Sequence, residues 1–163
     1  MILRYLALLN CFIYWGRGIN IEPLRSKCLL LEEQRPKDIN LCIGIGDKIE
    51  KRMFTAGGSG STFSEKVKQN DYLIGKASFE KAIIRLTDVY RRYCQRNQEI
   101  NFCKVDVEGY EKNVLLGIED RTEFRPWIYV IESKYPNTNI SVHDEWEDIL
   151  LQHDYLFTLA WGV

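Results

Sequence analysis

The chain has 163 residues, 45% of them hydrophobic and 28% charged, which is the composition of one globular domain long enough to bury a core and excludes a disordered or fibrous chain. A formal net charge of −1 excludes a global field that recruits nucleic acid or anionic membrane, and the basic pair Arg91-Arg92 reads as a solvated helix face. The cysteines Cys11, Cys28, Cys42, Cys94 and Cys103 are odd in number and form no C-x-x-C pair, so neither a zinc site nor a disulfide framework is indicated and a reducing, cytoplasmic setting follows.

Met1 to Trp15 is apolar apart from Arg4 and Asn10. The run is too short to span a bilayer and has no small-residue cleavage site, so it reads as a buried helix with Leu6, Leu9 and Ile13 on one stripe. Gly18 to Glu22 (GINIE) is a short strand of alternating isoleucines. Pro23 suits a first helical position, and Leu24, Cys28 and Leu31 form the apolar stripe of a helix that Arg35-Pro36 ends. Ile39 to Ile45 is a second buried strand, closed by a turn at Gly44, Gly46 and Asp47. Ile49 to Thr55 is a further strand.

Gly57 to Thr62 reads as a mobile loop, because no G-K-[ST] follows to make a phosphate cradle. Ala82 to Leu86 is apolar, and Thr87 is placed to cap a helix carrying Val89 and Tyr93. Asn101 to Val107 is the strongest strand, and Gly109 turns it into a helix with Tyr110, Val114 and Leu115. Trp127 to Glu132 is another buried strand. Ser141 and Asp144 resemble a capping box before Trp146, Ile149 and Leu150, and Tyr155 to Trp161 closes the chain as a strand. His143 and His153 sit at no strand end, and His153 reads as structural.

Strands alternating with helices predict an α/β domain over residues 1–163, with a largely parallel sheet and helices on both faces. Ligands in such sheets bind outside the carboxyl ends of the strands. Three acids stand at those ends: Glu22, Asp106 and Glu132. Glu22 could accept hydrogen bonds from both hydroxyls of a ribose, or cap the helix that follows; the pattern I-E-P leaves both open. Asp106 and Glu108, two apart in extended chain, share a face. They could orient a cation, bind a substrate hydroxyl or remove its proton, while capping and solvation stay open for Glu108.

Matching segments then make a resemblance specific. They are G-I-N-I-E-P (Gly18 to Pro23), R-P-x-D-I-N-L (Arg35 to Leu41), I-G-D (Ile45 to Asp47), S-T (Ser61, Thr62), K-V-D-V-E-G-Y-E (Lys104 to Glu111), V-L-x-G-I (Val114 to Ile118), R-P-W (Arg125 to Trp127) and I-E (Ile131, Glu132). In this order they resemble the FkbM-type methyltransferase family. The resemblance implies a Rossmann-like class I methyltransferase sheet and transfer of a methyl group from S-adenosylmethionine to oxygen. The acceptor it implies is a sugar or another small hydroxyl-bearing molecule. It implies Glu22, Asp47 and Asp106 as cofactor-binding residues, Asp106, Glu108 and Glu132 as catalytic residues, and no metal.

The departures from the family pattern are equally specific. No glycine precedes Gly16, so the D-x-G-A-x-x-G loop of the family and the first strand before it are missing. The family's F-D-G-x-N-R-F-Y segment is missing too, and the chain reads as a partial methyltransferase domain. The lost strand is normally central, between the strands that end here at Glu22 and Asp106. Those two are therefore expected to pair directly or to stand apart by about two strand spacings, roughly 9–10 Å. Two further functions stay open: a catalytically inactive remnant of such a domain, and a sugar-nucleotide-binding enzyme on a similar sheet.

Overall fold

A computed structural model describes residues 9–13, 17–57, 60–68, 73–136 and 138–158. In chain order the elements are β1 (Leu9–Ile13), β2 (Arg17–Ile21), α1 (Arg25–Gln34), β3 (Ile39–Leu41), β4 (Gly44–Ile45), β5 (Glu50–Thr55) and α2 (Glu65–Lys68). They continue with β6 (Ser78–Ile84), α3 (Leu86–Tyr93), β7 (Ile100–Val105), α4 (Glu111–Leu116), β8 (Ile128–Ile131), a 3-10 turn at His143–Glu145 and α5 (Glu147–Leu151). The α/β class expected from the sequence holds, but the strands form two sheets. One has the order β3-β2-β1-β7-β8 and the other β4-β6-β5.

Within the larger sheet β2 pairs in parallel with β3, and β7 with β8. β1 lies between β2 and β7 and runs antiparallel to both. Leu9 pairs with Ile21 and Ile13 with Arg17 on one side, while Asn10 pairs with Lys104 on the other, with a register shift between Phe12 and Ile13. This overturns the helix expected for Met1 to Trp15 wherever that stretch is described. It also overturns direct pairing of the flanking strands, since one strand stands between them. The physical reason is the backbone ladder: β2 and β7 each expose a row of N–H and C=O groups, and a helix there could not pair with them. The short run L-N-C-F-I supplies partners to both sides at once. Residues 1–8 and 14–16 lie outside the described residues.

The main core forms where one face of the larger sheet meets three helices. Ile19 and Ile21 of β2 and Cys103 and Val105 of β7 pack with Leu86, Val89 and Tyr90 of α3, Val114 and Leu115 of α4, and Leu150 of α5. On β2 the intervening Asn20 points to the opposite face, as strand alternation requires. Its amide donates to Asp38 Oδ2 (3.0 Å) and Asn40 Oδ1 (2.7 Å), and the Asn40 amide donates in turn to the Arg35 carbonyl at the end of α1 (3.0 Å). The R-P-x-D-I-N-L segment thus ties α1 to β2 by buried polar bonds.

Other expectations are corrected. Ile39 to Ile45 is not one strand: β3 belongs to the larger sheet and β4 to the smaller, so the chain changes sheet at Cys42–Ile43. Thr87 caps nothing; α3 already begins at Leu86, and the buried Thr87 hydroxyl donates to the Gly117 carbonyl (3.3 Å) and accepts from Glu119 N (3.0 Å). Ser141 caps no helix either, its hydroxyl pairing instead with His143 Nδ1 at 2.7 Å. Tyr155 to Thr158 form no strand, since the Tyr155 ring packs edge-on against Tyr129 and its hydroxyl donates to the Pro126 carbonyl at 2.6 Å. Residues 159–163 lie outside the described residues. In the Gly57 to Thr62 stretch, Ser61 and Thr62 are buried, and Thr62 pairs with Thr55 of β5.

Candidate active site

Because β2, β3, β7 and β8 all run the same way, their carboxyl ends gather along one edge of the larger sheet. Glu22 follows β2, Asp106 follows β7 and Glu132 follows β8, so all three sequence-predicted strand-end acids lie on that edge. Backbone bonds fix two of them: Glu22 N donates to the Leu41 carbonyl (3.0 Å) and Glu132 N to the Val105 carbonyl (2.9 Å).

Glu22 is almost wholly buried, at 1% exposure. Its Oε1 accepts from the Leu24 amide at 2.8 Å, a local bond two residues on that precedes the first turn of α1. Its Oε2 is buried and has no hydrogen-bond partner, and the nearest cation, Lys27 Nζ, stands 3.9 Å away. Burial raises the carboxyl from 4.5 to about 7, against the pull of the Leu24 amide and the Lys27 and Lys81 ammonium groups. The Leu24 amide therefore occupies one oxygen and leaves the other for a donor.

Asp106, Glu108 and Glu132 converge, each offering a carboxylate oxygen within 4.8 Å of the others. Lys104 neutralises part of this charge through an ion pair to Asp106 Oδ2 at 2.7 Å. Burial, then the negative charges of Asp106, Glu108 and Glu111, push Glu132 up to about 9, so that it keeps its proton at neutral pH. Burial, then Asp106 and Glu111, bring Glu108 to about 7, where it exchanges a proton readily. Three clustered carboxylates are also the oxygen donors that a hard cation takes.

Glu108 holds a left-handed backbone with φ 55°, which a side-chain-bearing residue adopts only when its surroundings enforce it. Two residues enforce it, and neither was singled out as a site residue in the sequence. The buried Thr62 hydroxyl donates to the Glu108 carbonyl at 2.8 Å. Glu111 Oε1 accepts from the amides of Val107 (3.0 Å) and Gly109 (3.2 Å), folding the loop around itself. Burial lifts Glu111 to about 7 in spite of those amides. The sequence signals were present as the S-T pair and the last letter of K-V-D-V-E-G-Y-E, without a geometry to give them a purpose. Gly109 follows at φ 84°, and a Cβ there would lie 2.6 Å from Val67, so the turn admits only glycine.

Asp47 stands apart from this group. It follows β4 in the smaller sheet, and its Oδ1 accepts from Asn113 Nδ2 of α4 at 3.2 Å. Close by, the Arg52 guanidinium donates to the Tyr110 hydroxyl. The structure thus gathers Asp106, Glu108 and Glu132, places Glu22 along the same edge, and puts Asp47 on the α4 side.

An α/β domain with acids gathered at the ends of its parallel strands has the layout of a domain that holds a ligand at those ends. The methyltransferase FkbM domain matches residues 6–157, and the chain belongs to that family of methyltransferases. No curated protein and no solved structure matches it. Among the described residues no helix is long and apolar enough to cross a membrane.

Proposed function

We propose that the chain is an S-adenosylmethionine-dependent O-methyltransferase domain acting on a sugar or another small molecule with a free hydroxyl. The observation that carries this reading is Glu22: one carboxylate oxygen is held by the Leu24 amide, and the other is buried without a donor. A buried acceptor left unpaired costs about 1–3 kcal/mol, which a bound ribose hydroxyl would recover. The nucleoside part of the cofactor therefore fits this corner, with Glu22 holding the ribose and Asp47, steadied by Asn113, on the adenine side. S-adenosylmethionine, when bound, supplies an electrophilic methyl group. The chain's own acids position the acceptor and manage its proton. Glu132 keeps a proton, so the cluster does not carry three full charges. Glu108, near 7, takes the proton that the acceptor hydroxyl loses.

Ligand-detected NMR with adenosine tests the carrying observation. Saturation transfer to adenosine is expected from the wild-type chain, with loss in Glu22→Ala and little transfer to 2′,3′-dideoxyadenosine. Equal transfer to both nucleosides, or to adenosine from both proteins, refutes the ribose role. A second reading, a catalytically inactive remnant, is favoured by one observation. β1 begins at the site edge with Leu9 and ends at the other with Ile13, opposite in direction to the strands that carry the acids.

A further inference from the structure

Beside Glu22 two cysteines approach each other from different elements. Cys28 is in the first turns of α1, with its Sγ 2.8 Å from the Glu22 carbonyl and 3.9 Å from the Leu41 carbonyl. Cys42 comes directly after Leu41 at the end of β3, and its Sγ lies 3.9 Å from the Pro23 carbonyl, in the segment that leads from Glu22 into α1. Each thiol thus sits against the other's chain segment, and the Cys42 side chain is a direct neighbour of the Cys28 thiol, which burial and then Cys42 hold in the protonated form. The environments differ. Cys28 is 1% exposed, whereas Cys42 is half-buried. Direct cation contacts are made by the second sulfur: Lys81 Nζ reaches Cys42 Sγ at 3.8 Å and the Arg25 guanidinium also interacts with it, whereas Cys28 feels Lys81 only through its charge. Neither thiol has a part in the proposed methyl transfer.

We propose that Cys28 and Cys42 are a redox modification site, closing to an intramolecular disulfide under a peroxide. Cys42, the more accessible sulfur and the one in direct contact with Lys81 and Arg25, is the one that meets the peroxide. Cys42 as thiolate attacks hydrogen peroxide: an S–O bond forms, the O–O bond breaks, and hydroxide leaves, giving a sulfenic acid. The Cys28 thiol then displaces the sulfenic oxygen. The S–S bond forms, the S–O bond breaks, and the Cys28 proton leaves with the oxygen as water. Two thiols are oxidised, and one peroxide is reduced to hydroxide and water. In the disulfide Cys28 has no proton left to donate, so closure removes its hydrogen bond to the Glu22 carbonyl.

The test is peptide mass mapping of the full chain after graded hydrogen peroxide, with free thiols blocked by iodoacetamide under denaturing conditions. The expected product is a cross-linked Cys28–Cys42 peptide pair that is about 2 Da lighter than its free thiols and returns to them with dithiothreitol. Cys94→Ser should leave the product unchanged. Cys28→Ser should instead accumulate a sulfenic acid at Cys42 that dimedone traps. Cys28 and Cys42 both remaining alkylatable while other cysteines are oxidised, or pairing mainly with cysteines of other molecules, overturns the proposal. Cys42 going to sulfonic acid in the wild-type chain without passing through the disulfide does so equally. These readouts need neither cofactor nor acceptor, so they stand or fall apart from the methyltransferase reading.

Discussion

Glu132→Gln should flatten the pH dependence of folding. In the folded chain Glu132 is held up to about 9 by burial and by the charges of Asp106, Glu108 and Glu111, against an ordinary value of 4.5. A carboxyl raised on folding binds its proton more tightly in the native state than in the unfolded one. Its contribution is therefore fully present below about pH 4.5 and lost as pH rises through about 9. At about 1.4 kcal/mol per pH unit, the span from 4.5 to 9 sets a ceiling of about 6 kcal/mol. Glu132 is half-buried and water screens part of this, so about 2–3 kcal/mol is the expected loss. Urea unfolding at fixed temperature, stepped from pH 5 to pH 9, measures it. The wild-type chain should lose about 2–3 kcal/mol more across that range than Glu132→Gln, which keeps the shape and cannot ionise. Parallel pH profiles for the two proteins would refute the protonated-Glu132 account of the acid cluster.

Three further outcomes follow from separate parts of the fold. Gly117→Ala should destabilise by about 1–3 kcal/mol or more in chemical denaturation, because the added Cβ would stand 2.0 Å from the Gly46 carbonyl oxygen, a rigid backbone atom; a neutral substitution would contradict that packing. Thr62→Val should cost about 1–3 kcal/mol by leaving the Ser64 amide and the Glu108 carbonyl without their partner, and Thr62→Ser should restore most of it; equal loss in both variants would mean that the methyl group, not the hydroxyl, matters. Isothermal titration of the chain with S-adenosylmethionine should show no saturable heat at low-micromolar concentrations, since β1 ends at the sheet edge away from Glu22 and Asp106; low-micromolar affinity would contradict that.

The strand-end acids were legible because their signal is local. An apolar run that stops at a carboxylate before Pro23 or Gly109 reports both the strand and its end. Parallel topology then carries Glu22, Asp106 and Glu132 to one edge without further information. The parts that hold Glu108 in place were not legible. Thr62 lies 46 residues away from it in sequence, and its hydrogen bond depends on how β5 and the segment after it close over the loop. Glu111 looked like an ordinary acid in the first turn of a helix, where it also complements the dipole. Its turn back onto Val107 and Gly109 emerges only from the left-handed backbone at Glu108.

The direction of β1 was the least legible feature, and it has the largest consequence. Five residues of the pattern L-N-C-F-I suit a strand in either direction, because hydropathy has no arrow along the chain. A central strand parallel to β2 and β7 would end among the acids, and a tight glycine turn could follow it there. The antiparallel strand instead places Leu9 opposite Ile21, at the acid edge, and Ile13 opposite Arg17, at the far one. Only three residues separate β1 from β2, as suits antiparallel neighbours and not parallel ones, which need a crossover of a dozen or more. The backbone ladder between β2 and β7 is thereby completed, and that is a matter of stability. The same choice puts Ile13, the end of β1, at the edge away from Glu22 and Asp106, and that is a matter of function. Pairing and cofactor geometry are thus separable in this sheet: the stability of β1 says nothing about affinity for the methionine end of the cofactor, and the two must be measured independently.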